Sequence, residues 1–71
     1  MNDDMEFKGR VIRNSTQEVK VHQGRYYGIE VLDIRWYKDE KPTRKGVRFN
    51  MIEAKVLYRI LTNMFEGDEE E

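Results

Sequence analysis

Short runs of β-branched and aromatic residues, separated by polar clusters, occupy the chain as far as Phe49, and from Met51 the apolar spacing turns helical. Phe7 to Arg13 alternates imperfectly and reads as a first strand. Asn14-Ser15-Thr16-Gln17 is a polar turn cluster. Val19-Lys20-Val21 then alternates strictly, and this second strand either continues through Tyr26 with Gly24 as a bulge or ends at a Gln23-Gly24 turn. Gly28 opens the next element, and Ile29 to Tyr37 reads as the third strand. A loop through Pro42 leads to a short fourth strand, Val47-Arg48-Phe49, in which Arg48 points away from its apolar neighbours.

Asn50 is placed to cap a helix from Met51 to about Phe65, with Glu53 at the third helical position completing a capping box. Ile52, Val56, Leu57, Ile60, Leu61, Met64 and Phe65 form a wide apolar stripe, Lys55, Arg59 and Asn63 lie opposite, and Gly67 supplies the stop. The expected fold class is α+β, four antiparallel strands followed by one C-terminal helix. The stripe is wider than one face of a four-stranded sheet needs, so its surplus suits a helix-to-helix homodimer contact. Within the third strand Leu32, Ile34 and Trp36 share one face, while Val31, Asp33, Arg35 and Tyr37 share the other.

Seventy-one residues allow one domain with a marginal core, because so short a chain buries only about 60% of its unfolded surface. The absence of Cys removes disulfides and thiolate ligands, and the lone His22 lacks partners for a zinc site, so neither metal nor cofactor is expected. No apolar run of about 18 residues or signal-peptide pattern is present, which implies a soluble cytoplasmic protein without a membrane partner, nucleoid-associated in a bacterium or nuclear in a eukaryote.

The net charge of −1 conceals a division. Eight acidic residues lie at the ends, whereas Phe7 to Phe65 holds all thirteen Lys/Arg against six acidic residues, a surplus of seven positive charges. Residues 1–6 are therefore expected to be an acidic flexible end, 7–65 a basic domain that attracts phosphates, and 66–71 an acidic disordered tail. That tail serves solubility, competes for the basic surface, or docks another protein.

Catalysis has little support: there is no glycine-rich phosphate loop or nucleophile elbow, and Glu30 and Asp33 fall on opposite strand faces. Binding has more. Arg35, Lys38, Lys41, Arg44, Lys45 and Arg48 are the leading phosphate contacts, with Lys8, Arg10, Lys20 and Arg25 behind them. Tyr26, Tyr27, Trp36 and Tyr37 offer rings on which bases stack. Trp36 shares its parity with Leu32 and Ile34, which equally suits a core or dimer-interface role. Cations interleaved with aromatics favour a single-stranded nucleic acid, because phosphates need Lys/Arg and unstacked bases need flat rings.

Tyr26, Gly28, Asp33-Ile34-Arg35, Tyr37, then Lys41-Pro42-Thr43-Arg44-Lys45-Gly46 and Asn50 stand in an order and spacing that resembles the positive cofactor four family of transcriptional coactivators. The resemblance covers Val21 to roughly Leu61. It implies a curved four-stranded antiparallel sheet with one helix, dimerisation through the helices, and single-stranded DNA bound across the sheet in transcription, repair or replication. It also implies a turn at Gly28, with Gly24 inside a strand. Carried over by position, Tyr26 would stack a base, Arg35 would meet a phosphate or base, and Lys41, Arg44 and Lys45 would act from the loop. Two departures stand out: Lys38 occupies a family Trp position while Trp36 lies two residues earlier, and the loop before Pro42 is shorter. The expected partner is thus single-stranded DNA, with RNA possible on the same chemistry. The alternative is an RNA-binding protein or a protein-interaction adaptor using the helix and acidic tail.

Overall fold

A computed structural model describes residues 4–67 of the chain. Four strands, β1 (Asp4–Ile12), β2 (Gln17–Tyr26), β3 (Ile29–Lys38) and β4 (Lys41–Asn50), form one antiparallel sheet in the order β1-β2-β3-β4, and α1 (Met51–Glu66) follows. The ββββα fold read from the sequence is the fold of the protein.

Backbone chemistry at the turns sets the register. In the first, the Asn14 side-chain carbonyl accepts from the Thr16 and Gln17 amides at 3.0 and 2.9 Å, folding four residues tightly. The second contains Tyr27 (φ 55°) and Gly28 (φ 80°), the third Asp39 (φ 52°) and Glu40 (φ 68°). Positive φ at both positions is the type I′ pattern, which matches the strand twist, and only one of these four residues is glycine. The Asp39 amide also donates to the Thr16 carbonyl at 2.8 Å, joining the first and third turns.

Several boundaries differ from expectation. Strand β2 follows the resemblance rather than the bulge or early turn: it runs unbroken, with Gly24 in register between Met5 and Val31 and the turn at Gly28. Its full length gives β1 more partners, and Asp4, Met5 and Glu6, assigned above to a flexible end, pair with Arg25, Gly24 and Gln23. The irregularities fall instead at Lys8 in β1 and between Arg35 and Tyr37 where β3 meets β4. Strand β4 starts at Lys41, because the Asp39–Glu40 turn closes the hairpin at once and pairs Lys38 with Lys41. The expected loop from Lys41 to Gly46 is therefore strand, and its Pro42 is tolerated on a sheet edge.

The Asn50 cap forms as expected: its side chain accepts from the Glu53 amide at 2.8 Å, and the Glu53 carboxylate accepts from the Asn50 amide at 2.9 Å. The helix includes Glu66, assigned above to the tail, and ends as expected at Gly67, whose cap is right-handed (φ −70°) rather than left-handed. The rest of the acidic tail and the first three residues lie outside the described residues.

Among the described residues only Val31 and Asp33 are buried. Helix α1 touches β3 and β4 yet buries none of its residues, and Ile52 and Phe65 remain 75% and 72% exposed. The radius of gyration, 14.1 Å, exceeds the ~11 Å usual for a compact chain of this length.

Candidate nucleic-acid interface

Paired residues of an antiparallel ladder point to the same side, so the register divides the sheet. One face carries Lys20, His22, Asp33, Arg35, Tyr37 and Arg48. The other carries Val19, Val21, Leu32, Ile34, Trp36, Val47 and Phe49. As the alternation implied, Arg48 lies opposite its apolar neighbours.

Asp33 organises the charged face. Its carboxylate accepts from Arg35 Nη2 at 3.0 Å and Nε at 3.3 Å, a bidentate pair, and from Arg48 Nε at 3.3 Å. A nearly buried carboxylate needs such partners, and charge-assisted bonds of this kind contribute about 1.5 to 3 kcal/mol each before the solvent exposure of Arg48 is discounted. The hydrogen bond to Asp33, aided by its charge and opposed by burial, raises the Arg35 pKa above the ordinary guanidinium value. For the guanidinium a raised pKa means that its contribution is complete below the ordinary value and is lost as pH rises through the raised one, in strong alkali. Arg35 is thus part of the scaffold, with three of its five N–H donors committed.

The third commitment shapes the neighbouring strand. Arg35 Nη1 donates to the Thr43 carbonyl at 3.2 Å, the Thr43 hydroxyl donates to the Trp36 carbonyl at 2.8 Å, and the Lys45 amide donates back to that hydroxyl at 3.2 Å. Register runs from Arg35–Gly46 to Tyr37–Pro42, so Thr43, Arg44 and Lys45 together face the single residue Trp36. Such a bulge re-aims side chains. Gly46 makes the close approach feasible: a Cβ there would lie 2.5 Å from the Ile34 carbonyl oxygen and 2.8 Å from the Arg35 Cα. Arg44 and Lys45 are left exposed, and neither they nor Lys38 and Lys41 form an ion pair with a described residue.

Among the described residues four rings carry a cation from their own chain. Arg48 lies over Tyr26 at 4.6 Å, Lys20 over Tyr37 at 4.5 Å, Arg10 over Phe7 at 5.7 Å, and Arg13 over Trp36 at 4.1 Å. Tyr26 also meets Tyr27 edge-on at 4.5 Å, and Phe7 meets His22 at 5.6 Å. Trp36 therefore lies half-buried beneath a guanidinium rather than in a closed core.

The fold gathers Trp36, Tyr37, Lys38, Lys41, Arg44 and Lys45 at the turn end of the β3–β4 hairpin, whereas Tyr26 and Arg48 lie toward its opposite end. Arg13 is the member that strand patterning missed. It stands just beyond β1, and the Asn14 turn, in which the Arg13 amide donates to the Gln17 carbonyl at 3.0 Å, directs it across the sheet. The aromatic at position 36 and the basic residue preceding an Asn-Ser-Thr turn were visible, but nothing short of the register joins them.

Among the described residues no cluster of His, Cys, Asp or Glu is arranged to hold a metal ion, and no helix is long and apolar enough to cross a membrane. No family model, curated protein or solved structure matches this chain.

Proposed function

We propose that this protein binds single-stranded nucleic acid, DNA foremost, with little sequence preference, as a homodimer joined through α1. The overlay of three aromatic rings on one sheet face by the chain's own cations, Arg48 over Tyr26, Lys20 over Tyr37 and Arg10 over Phe7, carries this reading. An exposed cation–π contact is worth about 0.5 to 1 kcal/mol, whereas a base stacked on an aromatic ring is worth about 1 to 3. A base can therefore displace the cation, and the displaced cation is released beside the ring, where the attached phosphate must lie. Each pair thus serves both halves of a nucleotide. Arg44 and Lys45, held out by the bulge, and Lys38 and Lys41 at the hairpin end add phosphate contacts.

The dimer part rests on a separate observation. Ile52, Val56, Ile60 and Phe65 are exposed along α1, and an apolar stripe of that extent on a domain with so small a core favours burial against a second copy. The local resemblance to the positive cofactor four family supports the same arrangement.

Titrating a labelled oligo-dT at several salt concentrations tests the binding reading. With about four to six phosphates engaged, the logarithm of affinity should fall against the logarithm of salt with a slope of about −3 to −4. A flat response, or no binding, would refute it. Removing residues 67–71 should leave or raise this affinity. Loss of partner capture on the same truncation, without oligonucleotide binding, would favour the adaptor alternative.

A further inference from the structure

Beneath Arg13, at the Trp36 end of the sheet, lies a groove of about 320 Å³ whose lining includes Gln17, Trp36, Tyr37, Lys38, Thr43 and Lys45. Its size is near the lower limit for ligand pockets, which start at about 300 Å³, so it suits one small unit rather than a length of strand. Its lining contains three cations and no carboxylate. The larger groove alongside, about 510 Å³, is bordered by Glu18, Asp39 and Glu40 and would repel a phosphate. Charge separates the two cavities.

We propose that the Arg13 groove is a single-nucleotide subsite, loaded separately from the Tyr26–Tyr37 face of the sheet. The proposal rests on the nucleic-acid reading above and extends it to a second surface. A base takes the place of the Arg13 guanidinium on the indole, and Arg13, Lys38 and Lys45 receive the phosphate. Gln17 reads an acceptor on the base edge: its side-chain oxygen already accepts from Asn14 Nδ2 at 3.2 Å, which leaves its amide NH₂ as the donor. The Thr43 hydroxyl is committed to the Trp36 carbonyl and the Lys45 amide, so it holds the wall rather than the ligand.

The separation follows from the register. Trp36 and Tyr37 are adjacent yet face opposite sides, and the turn between β3 and β4 places the carboxylates of Asp39 and Glu40 at the end of the sheet. A strand lying on the tyrosine face would have to carry its phosphates past them. The groove is therefore served by another segment of nucleic acid or by a free nucleotide.

Trp36 is the only tryptophan, so emission excited at wavelengths that tyrosine does not absorb reports on this groove. Thymidine 5′-monophosphate, added to the full chain, should quench that emission saturably. Arg13→Ala should raise the midpoint about tenfold and Arg13→Lys should recover part of the loss. In the same samples the anisotropy of a labelled oligo-dT should shift its midpoint less than twofold for either variant. Oligo-dT saturation with unchanged Trp36 emission at high mononucleotide would overturn the subsite while leaving the strand-binding reading standing. So would an Arg13→Ala midpoint equal to that of the parent chain. No anisotropy change and no quenching would overturn both.

Discussion

Arg35 and the Arg44–Lys45 pair lie within ten residues of one another and carry the same charge, yet the fold treats them oppositely. Arg35 is drawn inward, clamped to Asp33 and to the Thr43 carbonyl. Arg44 and Lys45 are pushed outward by the bulge that this contact helps to hold. One cation builds the surface and the other two are presented by it. A count of basic residues assigns all three to ligand binding, whereas their partners show that a charge already satisfied within the chain acts first on stability.

The sharpest way to break this contrast is to remove the close approach on which the bulge depends. Gly46→Ala puts a Cβ against immovable backbone, and overpacking of that kind should cost about 3 kcal/mol or more, seen as a fall in thermal midpoint of about 12 °C or more. Next comes Asp33→Ala, which leaves Arg35 and Arg48 without their shared acceptor. Given their partial exposure, about 2 kcal/mol should be lost in denaturant unfolding.

Replacing both Arg44 and Lys45 by Ala should move stability by less than about 0.5 kcal/mol but make the oligo-dT salt slope shallower by about 1.4, two phosphates at roughly 0.7 each. A matching loss of stability would erase the distinction between builder and presented cation. The smallest effect should come from Asp39→Asn with Glu40→Gly. Both positions hold positive φ, so a turn pair suited to that conformation should add about 0.5 to 1 kcal/mol, and the loss of two phosphate-repelling carboxylates should raise oligonucleotide affinity slightly.

Patterns of side chains revealed the elements better than their limits. The helix and its capping box were legible because Asn50 and Glu53 are a local pair whose chemistry needs no distant partner. The faces of β3 were legible for a similar reason, since alternation is a property of one strand. Strand β4 was not, because Lys41 to Gly46 contains a proline and a glycine that suggest a loop unless the partner strand is known. The site divides along the same line. Trp36 and Tyr37 could be named from composition, but the contact of Arg13 with Trp36 spans a turn and the width of β2, and depends on a register that no single segment encodes. The engagement of Arg35 was equally hidden, because the Thr43 carbonyl that it grips belongs to the backbone.

The single hydrogen bond from the Asp39 amide to the Thr16 carbonyl has a mechanical consequence. Two hairpin tips that would otherwise flutter independently are latched into one frame, with the Arg13–Trp36 contact beside it. Opening either tip must then wait on the other, so the tempo of that end of the sheet is set by one shared latch. Amide exchange at Asp39 is the clock on which it can be read.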